Sequence, residues 1–134
     1  MTAVFYIDSS AVVKLLLEET HSQQLTAFYD EHRSDAWVSS SLMRIEVART
    51  VTRALPSAQA EVPALLAAFG YLAIDDEIVE AAAREPDPDL RSLDAIHLAS
   101  ARVLGEQLAA VVTYDERLAA ATTRVGLPVH TPGR

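Results

Sequence analysis

The chain reads as one α/β domain over residues 1–134, a three-layer α/β/α sandwich around a mostly parallel sheet. Three observations predict this. Short apolar runs such as Val4-Phe5-Tyr6-Ile7 and Val111-Val112 alternate with stretches of helical period. Strands separated by helices feed parallel sheets covered on both faces. Apolar residues make up 50% of the chain and charged residues 22%, a balance that supports a core and argues against disorder.

Ala3 to Ile7 predicts a buried strand. Ser9 to Leu17 predicts a helix with Ala11, Val12, Leu15 and Leu16 as its apolar face. A second helix follows over Ser22 to His32, then a short strand over Ala36 to Ser39. Ser41 starts a long helix that Pro56 bounds. Ala58 to Phe69 predicts another, with Gly70 as its stop, before a strand over Tyr71 to Ile74. Asp75 or Asp76 caps a helix running to Arg84. The run Glu85-Pro86-Asp87-Pro88-Asp89 predicts a loop. Leu93 to Glu106 predicts a helix, Ala109 to Thr113 a strand, Glu116 to Thr123 a helix and Pro128 to His130 a last strand.

Composition narrows the function classes. No Cys is present, which excludes disulfides and thiolate metal sites. Met1-Thr2-Ala3-Val4 lacks the basic start of a signal peptide, and no apolar run approaches the roughly 20 residues of a membrane span. A soluble, cytoplasmic protein is expected. The net charge of −8 weighs against a nucleic-acid binder by itself. Carboxylates gathered at a metal site contribute negative charge that cations offset, so the sum does not exclude one. Lys14 is the only Lys, and the other ten basic residues are Arg. Genomic base composition accounts for that bias better than phosphate recognition does.

Four acids carry the chemistry. Asp8 ends the first strand, and Asp115 closes Val111-Val112-Thr113-Tyr114-Asp115. Glu46 lies inside the long helix, and Asp94 opens Leu93-Asp94-Ala95-Ile96-His97-Leu98-Ala99. Ligands of open α/β sheets sit beyond the carboxyl ends of strands. Carboxylates converging without Cys or clustered His select hard cations such as Mg²⁺. Two carboxylates 5 Å apart repel by about 3 kcal/mol at an effective dielectric of 20, so their pKa values rise until a cation relieves them. Each acid also has a simpler explanation. Asp8, Asp94 and Asp115 are suitable helix caps, and Glu46 is placed to pair with Arg49 or Arg53.

The chain resembles PIN-domain endoribonucleases, specifically VapC-type toxins of bacterial toxin–antitoxin pairs. The resemblance runs through Tyr6-Ile7-Asp8-Ser9-Ser10-Ala11, Glu46-Val47-Ala48-Arg49, Leu93-Asp94-Ala95-Ile96-His97-Leu98-Ala99, Val112-Thr113-Tyr114-Asp115-Glu116-Arg117-Leu118 and Gly126-Leu127-Pro128-Val129. It implies hydrolysis of RNA with Mg²⁺ or Mn²⁺ at Asp8, Glu46, Asp94 and Asp115. Asp8 and Asp94 are the implied direct ligands, with Glu46 and Asp115 binding through water, holding a second ion or orienting the nucleophile. Thr113 corresponds to a supporting hydroxyl, and Ser9 to the hydroxyl position after the first Asp. A VapB-type antitoxin and a homodimer are the implied partners. The antitoxin segment is expected in a groove near the site; the apolar residues between Leu55 and Phe69 fit either that groove or the core.

Other residues read as structural or as RNA contacts. His97 lies on the Asp94 face of its helix, and a packing role with a satisfied ring nitrogen is favoured over ligation. His21, His32 and His130 show no ligand spacing. Arg44, Arg49, Arg53 and Arg91 are placed for phosphates, although a solvated helix face explains the first three equally. Lys14 reads as a snorkelling side chain, and Tyr6 and Trp37 as core. A phosphoacceptor receiver domain is excluded, because Asp8 lacks an acidic neighbour and no Lys follows late in the chain. A haloacid-dehalogenase-like phosphatase needs a second Asp where Ser10 stands. A catalytically silent module of the same fold remains the alternative.

Overall fold

A computed structural model describes residues 3–134. Five strands form one sheet: β1 (Val4–Ile7), β2 (Ala36–Ser40), β3 (Gly70–Leu72), β4 (Leu108–Val112) and β5 (Val129–His130). Their order is β3-β2-β1-β4-β5, and every pairing is parallel. The helices are α1 (Ser9–Val12), α2 (Ser22–Glu31), α3 (Leu42–Ala54), α4 (Val62–Leu66), α5 (Asp76–Ala83), α6 (Ser92–Val103) and α7 (Glu116–Arg124).

Side-chain alternation along β1 divides the core into two layers. Phe5 and Ile7 face one side, where Val12, Leu25, Met43, Val47, Val51, Val62 and Phe69 complete the larger cluster. Tyr6 faces the other side and meets Ala101, Leu108 and Val111. The sandwich therefore has α1 to α4 on one face and α6 on the other, and α7 packs on α6 through Leu98, Leu118 and Ala121. The register slips between the pairs Val4–Leu108 and Phe5–Ala110. That extra residue in β4 moves Leu108 and Val111 onto one face and Ala110 and Val112 onto the other.

The structure corrects several boundaries. The first helix stops at Val12 and tightens into a 3₁₀ turn over Val13–Leu15 instead of running to Leu17. Val12, Val13 and Leu17 are all buried, so no single helical stripe serves this segment. The helix predicted over Ala58 to Phe69 is a 3₁₀ stretch, Pro56–Glu61, followed by the five-residue α4. Pro63 lacks the N–H that an uninterrupted helix needs at that position. Gly70 is no helix stop; it begins β3 and pairs with Val38. Val62 and Phe69 join the core, whereas Leu55 is exposed. The helix predicted to reach Glu106 ends at Val103, and Gly105 takes positive φ (55°) to open a 3₁₀ turn.

Asp75, not Asp76, caps α5 by accepting from the Ile78 N–H at 3.0 Å. Asp75→Ala is expected to destabilise the protein by about 1 kcal/mol. Urea unfolding checks this, and an unchanged midpoint would remove the cap from the account.

Candidate active site

The sheet order reverses at β1, which lies between β2 and β4. Chain crossovers therefore leave in opposite directions there, opening a crevice at the carboxyl ends of β1 and β4. Asp8 follows β1 directly, and Thr113 to Asp115 follow β4.

Asp8 is buried and caps α1 through the Ala11 N–H, which it accepts at 3.2 Å. Its Oδ1 also accepts from the Ser10 hydroxyl at 2.7 Å, and its Oδ2 from the Thr113 hydroxyl at 2.7 Å. Burial raises its pKa, and these donors with the nearby His97 act against that rise. Thr113 Oγ1 accepts from the Asp115 N–H at 3.0 Å, so one hydroxyl joins the two strand ends. Asp115 caps α7, accepting from Arg117 N–H and Leu118 N–H. Capping thus explains part of Asp8 and Asp115, as their positions allow.

Asp94 is different. The N-cap of α6 is Arg91, so Asp94 lies inside the first turn and caps nothing. It is buried, and its pKa is pushed up to about 6 by burial and then by Asp115, Asp8 and Glu46, against the pull of His97. Three acids therefore act on Asp94 at this edge. Glu46 does not pair with Arg49 or Arg53; its Oε1 meets His97 Nε2 at 2.8 Å. Among the described residues, no group of three or more acidic or imidazole side chains is placed to hold a metal ion. The donor set around Asp8 and Asp94 is all oxygen, and the Asp94 pKa is raised first by burial and then by repulsion that a divalent cation would relieve. In chemistry and charge the residues fit Mg²⁺ or Mn²⁺.

The structure refines the reading of the first-turn serines and of His97. The hydroxyl that reaches Asp8 belongs to Ser10, not Ser9. Ser10 Oγ also accepts from the Tyr114 N–H at 2.9 Å and lies 3.3 Å from Thr113 Oγ1. Adjacent serines after a capping Asp are indistinguishable until the turn is built. His97 is a buried packing residue, as expected, but both ring nitrogens are engaged, one with Glu46 and one with Tyr6. Its raised pKa reflects burial, which lowers it, outweighed by the Glu46 hydrogen bond and the neighbouring acids.

The remaining candidates lie at the margins. Tyr6 and Trp37 are core. Lys14 reaches the Thr20 carbonyl at 2.8 Å and lies over the Tyr114 ring. Arg44 covers the Tyr71 ring, while Arg49, Arg53 and Arg91 are exposed. No helix among the described residues is long and apolar enough to cross a membrane.

A PIN domain family model matches residues 5–123. The chain is 39% identical over 133 residues to Ribonuclease VapC35 of Mycobacterium tuberculosis, covering 98% of each chain. It is 37% identical over 130 residues to Ribonuclease VapC46 of the same species, covering 97% of this chain and 98% of that one. The fold matches the crystal structure of M. tuberculosis VapC20, described as a Sarcin-Ricin loop cleaving toxin, with a TM-score of 0.77 at 15% identity. That match covers 96% of this chain and 99% of the other. On whole-length sequence and fold agreement, the chain belongs to the PIN-domain family, in its VapC branch.

Proposed function

We propose that this chain is a metal-dependent endoribonuclease toxin, restrained by a VapB-type antitoxin. The carrying observation is Asp94, a buried acid without a capping role whose pKa is raised by burial and by three other acids. A carboxylate largely removed from solvent and set among other acids is unfavourable in a purely structural protein, and perturbed groups of this kind cluster at functional sites. The relatives named ribonucleases support RNA as the substrate.

Asp8 and Asp94 are the residues that would hold Mg²⁺ or Mn²⁺, with Glu46 and Asp115 acting through water or at a second ion. When bound, the cation supplies Lewis acidity for phosphodiester hydrolysis, leaving a 5′-phosphate and a 3′-hydroxyl. Ser10 and Thr113 hold Asp8 with both oxygens oriented before any ligand arrives. Exposed Arg49, Arg53 and Arg91 are suited to the RNA backbone. An open groove along α3, lined by Leu42, Arg44, Ile45, Ala48, Arg49 and Ile74, adjoins Glu46 in sequence. Its exposed Ile45 and Ile74 support docking of an apolar antitoxin segment. A homodimer in the cytoplasm completes the proposal; sedimentation of the purified chain checks the stoichiometry.

The test is mapping of RNA 5′ ends in bacteria after induction, beside Asp94→Asn at equal expression. New ends at discrete sites in the wild type alone are expected. Identical ends in both would remove Asp94 from the mechanism. No new ends in either, together with no Mn²⁺ binding by the purified protein, would support a silent binding module instead.

A further inference from the structure

Tyr6 and His97 are buried polar groups that four converging acids do not by themselves require. Tyr6 points from β1 toward α6, and His97 lies one turn beyond Asp94 on that helix. The phenol oxygen is 2.7 Å from His97 Nδ1, with the two rings edge to face. His97 Nε2 is 2.8 Å from Glu46 Oε1. One line of hydrogen bonds therefore runs from the centre of the sheet through α6 to α3.

The protons on this line follow from the partners. An ionised carboxylate only accepts, so Nε2 must carry the hydrogen that faces Glu46. In the neutral ring Nδ1 is then bare. The phenol hydroxyl, 2.7 Å away, donates to it. In the imidazolium form Nε2 still donates. Glu46 Oε1 is engaged in both cases, and Oε2 is left free of this bond. Glu46 sits on the half-buried flank of α3, between exposed Ile45 and buried Val47, and His97 is its ion-pair partner among the described residues. Ordering a free Glu side chain costs rotamer entropy, and a fixed donor meets that cost before a ligand binds.

We propose that His97 is a positioning residue whose Nε2–H, aimed by the Tyr6 hydroxyl, holds Glu46 so that its second oxygen serves the divalent cation at Asp94. This rests on the nuclease reading above. Ligating groups held by a second layer of hydrogen bonds lose affinity when that layer is removed.

The test uses the full purified chain with His97→Gln, His97→Asn and Tyr6→Phe. The Gln amide nitrogen reaches the place of Nε2, whereas that of Asn reaches only the place of Nδ1. Without metal, ring ¹⁵N spectra are expected to show Nε2 protonated, and side-chain ¹³C relaxation to show Glu46 ordered in the wild type and His97→Gln but averaged in His97→Asn. Mn²⁺ affinity by calorimetry is expected to fall about 10–100-fold in His97→Asn and within about threefold in His97→Gln. Tyr6→Phe keeps the packed ring but removes the donor to Nδ1, so Glu46 order is expected to fall between those of wild type and His97→Asn. It supplies a folded comparison if His97→Asn does not fold. Equal Glu46 order in wild type and His97→Asn, or a ring with Nε2 bare, overturns the proposal. A wild type that binds no Mn²⁺ overturns the nuclease reading and the cation half of this one, while Glu46 order still decides the positioning half.

Discussion

Asp94→Asn is expected to raise the melting temperature of the metal-free protein at pH 7.5 while abolishing RNA cleavage. The folded pKa of Asp94 is raised to about 6 from the ordinary 3.8. A group shifted upward binds its proton more tightly in the folded state. Its contribution to stability is therefore complete below pH 3.8 and is lost as pH rises through about 6. At pH 7.5 the ionised Asp94 is a net burden. After discounting for solvent around a partly exposed carboxylate, removing it is worth about 1–2 kcal/mol. That corresponds to about 3–8 °C in a domain of this size. The wild type should melt lower at pH 7.5 than at pH 5, and the variant should lose most of that difference. On the proposed metal-dependent reading, Mg²⁺ should stabilise the wild type more than the variant. Scanning calorimetry at the two pH values, with and without Mg²⁺, checks all of this. A variant that melts below the wild type at pH 7.5 would mean that Asp94 makes a structural contact, and the functional reading would lose its main support.

Thr113→Val should unfold the protein more readily by about 2–4 kcal/mol, although valine matches threonine in shape. The hydroxyl is fully buried, donates to Asp8 Oδ2 and accepts from the Asp115 N–H. Valine removes one hydrogen bond from the Asp8 carboxylate and leaves the Asp115 amide without its acceptor. Asp8 then loses a donor that opposes the rise in its pKa. Cleavage should fall by at least about tenfold, as when a residue supporting a ligand is removed. Thr113→Ser retains the hydroxyl and should recover most of both losses. Urea unfolding and a cleavage assay of the three proteins check this. A Thr113→Val variant within 0.5 kcal/mol of wild type would show that the two strand ends are joined by other contacts.

Much of the architecture was legible because its causes are local. The continuous apolar run Val4–Ile7 marked β1, and the capping acids Asp8, Asp75 and Asp115 marked three helix starts. The misreadings also have local causes. Pro63 sits among apolar residues of helical spacing, and the spacing outweighed it; the proline decided the backbone. Gly70 has the composition of a helix stop, but its neighbours pair with β2. Ser9 and Ser10 present the same hydroxyl in adjacent positions, and only the closed turn after Asp8 selects Ser10.

The sequence by itself determined the alternation of strands and helices, the acidic character of the site and the family. Periodicity, capping and motif spacing act within a few residues, so they survive in a linear reading. Tertiary structure decided what those residues meet. The order β3-β2-β1-β4-β5 sets Asp8 beside Thr113, which lies 105 residues away, and packing of α6 against α3 joins His97 to Glu46 across 51 residues. Nothing in the spacing of those pairs specifies their contact. It follows from burying both faces of one parallel sheet, which brings distant strand ends and helix flanks to the same edge.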